Sequence, residues 1–168
     1  MADQQPDGIT PDDKDWTWTL DRACPDCGFA AAAVADDDVA RLLTAFTSPW
    51  PTVLVRGDVR DRPDPATWSP LEYGAHVRDV CRLFTQRTDL MLEQDNPAFA
   101  NWDQDVTAIE DDYASQDPEE VAGEILAAGV AWASRYAALT PGQWERAGVR
   151  SNGSSFTART LAQYGLHD

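Results

Sequence analysis

The chain has 168 residues, 43% of them hydrophobic, with 29 Asp and Glu against 13 Lys and Arg and a net charge of −16. This length and apolar content suit a single domain that buries roughly two-thirds of its unfolded surface. The acidic excess, with no basic stripe anywhere, argues against nucleic acid and anionic membranes as partners.

No run of about 18 apolar residues could span a bilayer. The start, Met1-Ala2-Asp3, lacks the basic and apolar segments of a signal peptide. The expected location is cytoplasmic, where thiols stay reduced. Seven tryptophans point to several in the core.

Residues 1–35 read as a flexible acidic leader followed by a segment carrying Cys24-Pro25-Asp26-Cys27. Within it, the alternation of Trp16, Thr17, Trp18 and Thr19 predicts a short extended stretch. Asp36 to Asp38 suit a helix N-terminus, and Val39, Leu42, Leu43 and Phe46 give a helical period that Pro49 and Pro51 end. Residues 51–68 form a proline-containing connector. Ser69-Pro70-Leu71-Glu72 is a capping box with proline at the first helical position. The helix it opens runs to about Glu93, stops at Asn96-Pro97, and carries His76 roughly two turns in.

Residues 101–105 read as an acidic, aromatic loop. Asp117-Pro118-Glu119-Glu120 starts another helix, periodic from Val121 to about Leu139. Ser151-Asn152-Gly153 signals a tight turn in a short hairpin. A last helix begins near Thr157 and leads to His167. The expected fold is all-α: a four-helix bundle over residues 36–168, with long connections that need not give a simple up-down order.

His76 and His167 are the chain's only histidines. Neutral imidazoles projecting into a bundle suit Zn, Ni, Fe or Cu, and a divalent Zn, Ni, Fe or Mn is the expected ion, but a catalytic zinc needs three protein ligands. A structural role, hydrogen-bonded at a helix face or end, stands beside the metal reading for each. Gln163, one turn before His167, is a weak substitute donor. Asp79, one turn after His76, either orients an imidazole or pairs with Arg78 or Arg82. Asp103 and Asp105 either frame a site mouth or form a solvated loop anchored by Trp102. Cys24 and Cys27 have three readings: incidental thiols, half of a metal site completed by other residues or a second chain, or a redox pair. No phosphate loop, nucleophile elbow or His-Glu-x-x-His motif appears.

Three stretches carry a resemblance to a family. The run from Trp68 through Asp79 resembles the second-helix pattern of the DinB/YfiT-like superfamily, in which a tryptophan and a helix cap precede a metal-binding histidine. Residues 101–113 resemble the following loop in an acidic subgroup. Phe156 through Asp168 resembles the start of the last helix, where the family carries His-x-x-x-His. The resemblance implies a DinB-like four-helix bundle holding a divalent metal through His76, His167 and a residue four positions after His167. That third position falls beyond Asp168. A last helix cut short within the motif and a member with an incomplete site are both open.

The resemblance further implies a metal-dependent transferase or isomerase that uses a low-molecular-weight thiol such as mycothiol or bacillithiol. A small-molecule substrate is expected with it. The alternative is a non-catalytic bundle, a stress-related binding protein with an incomplete metal site, and a homodimer is expected with that alternative.

Overall fold

The computed structural model describes residues 8–12 and 14–168; residues 1–7 and 13, part of the acidic leader, lie outside the described residues. The chain forms α1 (Asp36–Thr47), a short α2 (Trp50–Leu54) and α3 (Pro70–Glu93). After these come β1 (Ala98–Phe99), α4 (Gln104–Glu110), α5 (Pro118–Ala137), the one-turn α6 (Pro141–Trp144), β2 (Ala147–Arg150), β3 (Ser155–Thr157) and α7 (Ala158–Gly165).

The bundle is made by α1, α3, α5 and α7. Both α5 and α7 pack on α1 and on α3, so α1 and α3 face each other diagonally across the core. The long connector between them makes that crossing sterically feasible. Among the described residues no helix is long and apolar enough to cross a membrane.

The helix starts follow their caps. Ser69 Oγ accepts from the Glu72 amide at 3.3 Å, and the Glu72 carboxylate accepts from the Ser69 amide at 2.8 Å. Glu72 is buried and also accepts from Arg62 Nε at 3.0 Å. Burial alone would raise its carboxyl, but Arg62 and Ser69 outweigh that and hold it below the ordinary value. Asp117 caps α5 through the amides of Glu119 and Glu120, and Thr157 caps α7 through the amide of Thr160.

Two structural expectations need correction. The fold is not purely α: β1 pairs parallel with β2, and β2 pairs antiparallel with β3, in one small sheet. Strands this short carry too few residues for an alternating pattern, and β1 finds its partner far down the chain. Trp16–Leu20 is a 3₁₀ turn rather than extended. Asp15 accepts from the Thr17 amide at 3.0 Å, and Thr19 Oγ1 donates to the Trp16 carbonyl at 2.8 Å, which closes the turn.

The main core gathers Val39, Leu43, Phe84, Met91, Trp132, Tyr136 and Leu161. A smaller cluster under α2 holds Leu54, Leu71, Tyr113, Val121 and Ile125. On the rim of that cluster, Arg78 donates to Asp79 through Nε at 2.8 Å and Nη2 at 3.0 Å, and Tyr113 donates its hydroxyl to Asp79 at 2.5 Å. Arg82 stands 3.6 Å from the same carboxylate. Burial pushes Asp79 up, but these three groups outweigh it and leave the carboxyl below its ordinary value. Asp79 thus pairs with both arginines the sequence suggested, and with the Tyr113 hydroxyl rather than an imidazole.

The α1–α5 contact depends on Gly129, where a Cβ would lie 2.5 Å from Thr47 Oγ1 and 2.8 Å from Thr47 Cβ. Gly123, on the exposed side of the same helix, has nothing within 4 Å of a Cβ. The two glycines should therefore respond with opposite signs. G129A is expected to destabilise by about 1–2 kcal/mol, overpacking outweighing the better helix propensity of alanine. G123A should stabilise by about 0.5–1 kcal/mol. Urea unfolding of both variants checks this.

Asp79 makes a pH prediction. Its native carboxyl is depressed, so its contribution is present above the ordinary carboxylate range and is lost as pH falls through the depressed value. D79N should cost about 2 kcal/mol at pH 7, because it leaves buried Arg78 without its main carboxylate. That difference should shrink as pH falls below the ordinary carboxylate range and the wild-type carboxylate protonates. Denaturant midpoints measured across this range report the convergence.

Candidate functional site

A cavity of about 1030 Å³ opens at one end of the bundle. Its walls come from the start of α3, the loop before α4, the end of α7 and the N-terminal arm. Both histidines line it.

His76 is 5% exposed. Its ring lies parallel to the Trp102 indole, 3° between planes and 5.3 Å between centroids, and Trp68 covers another side at 5.4 Å. Trp102 is itself fixed, because its Nε1 donates to Thr107 Oγ1 at 2.7 Å. His76 Nε2 stands 3.0 Å from Asp168 Oδ1, and Nδ1 is buried with no hydrogen-bond partner. A carboxylate accepts, so the proton is assigned to Nε2, which leaves a lone pair on Nδ1. A carboxylate on one imidazole nitrogen and a free lone pair on the other is the arrangement in which histidine ligates metals. The residues around His76 fit a divalent ion to this extent.

His167 has different neighbours. Its ring packs among Trp16 at 5.5 Å, Trp18 at 6.5 Å and Phe29 at 6.5 Å. Its Nε2 is also buried without a partner. The ligand atoms of His167, Cys24 and Cys27 lie within 4.8 Å of one another, and this is the one such three-donor group among the described residues. A hydrogen bond between the His167 side chain and the Cys24 sulfur, with a backbone bond at Cys27, brings the Cys24 thiol down to about 7. All three cysteines are free. The structure therefore brings both histidines to one cavity but gives each its own set of partners.

The remaining candidates fall into place around them. Gln163 is buried and donates to the Val34 carbonyl at 3.0 Å, tying the N-terminal arm to α7. Asp103 caps α4 through the amides of Asp105 and Val106. Asp105 lines the cavity and accepts from the Asp12 amide at 3.0 Å; burial raises its carboxyl above the ordinary value.

Sequence reasoning did not single out Arg87 and Arg150, two buried cations that line the same cavity. Arg87 donates to the Ala100 carbonyl at 2.9 Å and lies over the Phe84 and Phe99 rings. Burial first, and the neighbouring Arg150 charge second, push it down to about 10. Arg150 reaches Asn152 Oδ1 at 3.0 Å and the Tyr164 hydroxyl at 3.3 Å. One signal was available: Arg87 follows His76 by three helical turns and so sits on nearly the same face of α3.

The fold is that of a known structure. YfiT from Bacillus subtilis, described as a probable metal-dependent hydrolase with an unusual four-helix bundle topology, superposes with a TM-score of 0.71. The two share 17% identity over 80% of this chain and 82% of the other. No curated protein sequence is a match. The sequence pattern of the DinB superfamily matches residues 37–167, and the chain belongs to that superfamily.

Proposed function

We propose that the protein is a metal-dependent enzyme acting on a small molecule bound in the cavity, with His76 as an imidazole donor to a divalent ion. The observation that carries this reading is the state of His76, with Nε2 held by Asp168 and the buried Nδ1 lone pair unpartnered. A bound ion would act as a Lewis acid towards a substrate carbonyl, or would lower the pKa of a coordinated water or thiol.

This chain's own groups support that chemistry. Asp168 fixes the imidazole tautomer. Trp68 and Trp102 keep water from the His76 ring. Arg87 and Arg150 put positive charge on the lining, which suits an anionic group on the substrate. Hydrolysis, the activity ascribed to YfiT, is the reaction class favoured first. Transfer or isomerisation with a low-molecular-weight thiol such as mycothiol or bacillithiol is the variant in which the cosubstrate takes the open coordination position.

One observation favours the alternative of a non-catalytic binding module: among the described residues, no third donor of a metal set joins His76 and Asp168.

Metal analysis and turnover separate the two readings. The enzyme reading expects about one divalent ion per chain, from the ordinary one-metal site. It also expects activity on an activated ester, or on an activated aryl halide with added thiol. H76A should abolish that activity, and D168N should lower metal affinity about 10- to 100-fold. A folded H76A variant with wild-type metal content and turnover would overturn the assignment of His76, and absence of bound metal and of activity would leave the binding module.

A further inference from the structure

We infer that Cys24, Cys27 and His167 form a zinc-type site of their own, distinct from the His76–Asp168 pair and joining the N-terminal arm to the end of α7. The inference stands apart from the preceding reading: it gives His167 two thiolate partners and a place that the reading lacks.

The local backbone is shaped for it. The Cys24 amide donates to the Phe29 carbonyl at 2.9 Å, and the Gly28 amide donates to the Cys24 carbonyl at 2.8 Å. These bonds close a tight loop that turns the Cys27 sulfur back beside that of Cys24. Gly28 sits at φ +74° with nothing within 4 Å of a Cβ, so glycine is there for its conformation rather than for room.

The third donor arrives from far along the chain. Leu166 and the aromatic cage of Trp16, Trp18 and Phe29 seat the end of α7, and Gln163 fastens it to the arm at Val34. Zinc–sulfur bonds of about 2.3 Å in a tetrahedron put ligand atoms about 3.8 Å apart. A spread within 4.8 Å needs a contraction of about 1 Å or less, well within side-chain rotation. The donor set decides the class of ion: two sulfurs and an imidazole suit Zn²⁺, whereas Mg²⁺ and Ca²⁺ take oxygen. Three protein donors also leave a fourth position for water or an exogenous thiol. His167 lies on the cavity wall, so the ion would stand at the cavity's edge.

The test uses the full chain, stripped of metal under reducing conditions and titrated with Zn²⁺ and Co²⁺. Binding of about one ion per chain is expected, with an intense thiolate-to-cobalt charge-transfer band in the near ultraviolet. C27S changes an exposed side chain and should fold normally; it should lose most of the band, as should C24S. H76A should keep the charge-transfer band, which reports the thiolate site alone.

Cobalt bound without a charge-transfer band, or a band unaffected by C27S in a variant folded by circular dichroism, would overturn the inference. Metal lost in H76A but retained in C24S and C27S would overturn it too, while leaving the enzyme reading intact. Metal retained in H76A and lost in both cysteine variants supports this site and removes His76 as the ligand.

Discussion

The site depends on how closely α7 approaches the bundle. At Gly165 a Cβ would lie 2.7 Å from Phe84 Cδ1 and 2.8 Å from Trp132, so the absence of a side chain there lets the helix end settle between α3 and α5. At its other end, the Tyr136 hydroxyl donates to the Ala158 carbonyl at 3.0 Å and contacts Thr88 Oγ1 at 2.9 Å. Arg159 reaches Asp36 at 2.7 Å and links α7 to the start of α1. A helix of eight residues has little stability of its own. Its position is set by these contacts, and with it the positions of His167 and Asp168.

Charge is distributed unevenly through the fold. Of a chain at −16, several cations are spent inside or at the core's edge: Arg78 on Asp79 and Glu124, Arg62 on Glu72, and Arg87 and Arg150 on the cavity. The first pairs are satisfied by carboxylates and act as struts. Arg87 is different: it donates to a carbonyl, its Nε is buried without a partner, and a second arginine stands near it. A buried cation held by aromatic faces and a carbonyl keeps attraction to spare for an anion entering the cavity. The acidic surface therefore surrounds a pocket whose interior contains a positive part.

Local signals in the sequence specify much of the fold. Ser69, Pro70 and Glu72 fix where α3 begins, Asp117 and Pro118 do the same for α5, and Thr157 for α7, because each cap satisfies backbone groups within three residues. Asn152 and Gly153 mark the hairpin turn for the same reason, with Gly153 at φ +94°. What was not legible depends on distant partners. The strand β1 exists because Ala98 and Phe99 align with Val149 and Arg150. The diagonal placement of α1 and α3 follows from side-chain shape at Gly129 and Thr47, which no period reveals. His76 could be singled out early, but its partner Asp168 could not, since the two lie 92 residues apart. The cysteine pair was visible as a spacing; its third donor was visible only as an isolated histidine.

His167 and Asp168 are adjacent in the chain yet serve different partners. His167 turns into the aromatic cage beside Cys24 and Cys27, while Asp168 meets His76. They follow the last turn of α7, where Leu166 and His167 still bond back to Ala162 and Tyr164. Asp168 comes directly after that turn, and its partly buried carboxylate reaches His76 from a backbone placed by His167. Anything that immobilises His167 also restricts the backbone of Asp168 and sharpens its hydrogen bond to the imidazole. The sulfur–imidazole cluster and the His76–Asp168 pair are thus mechanically coupled through one peptide bond. A cation bound by the first would preorganise the second without touching it, at the edge of the cavity that both share.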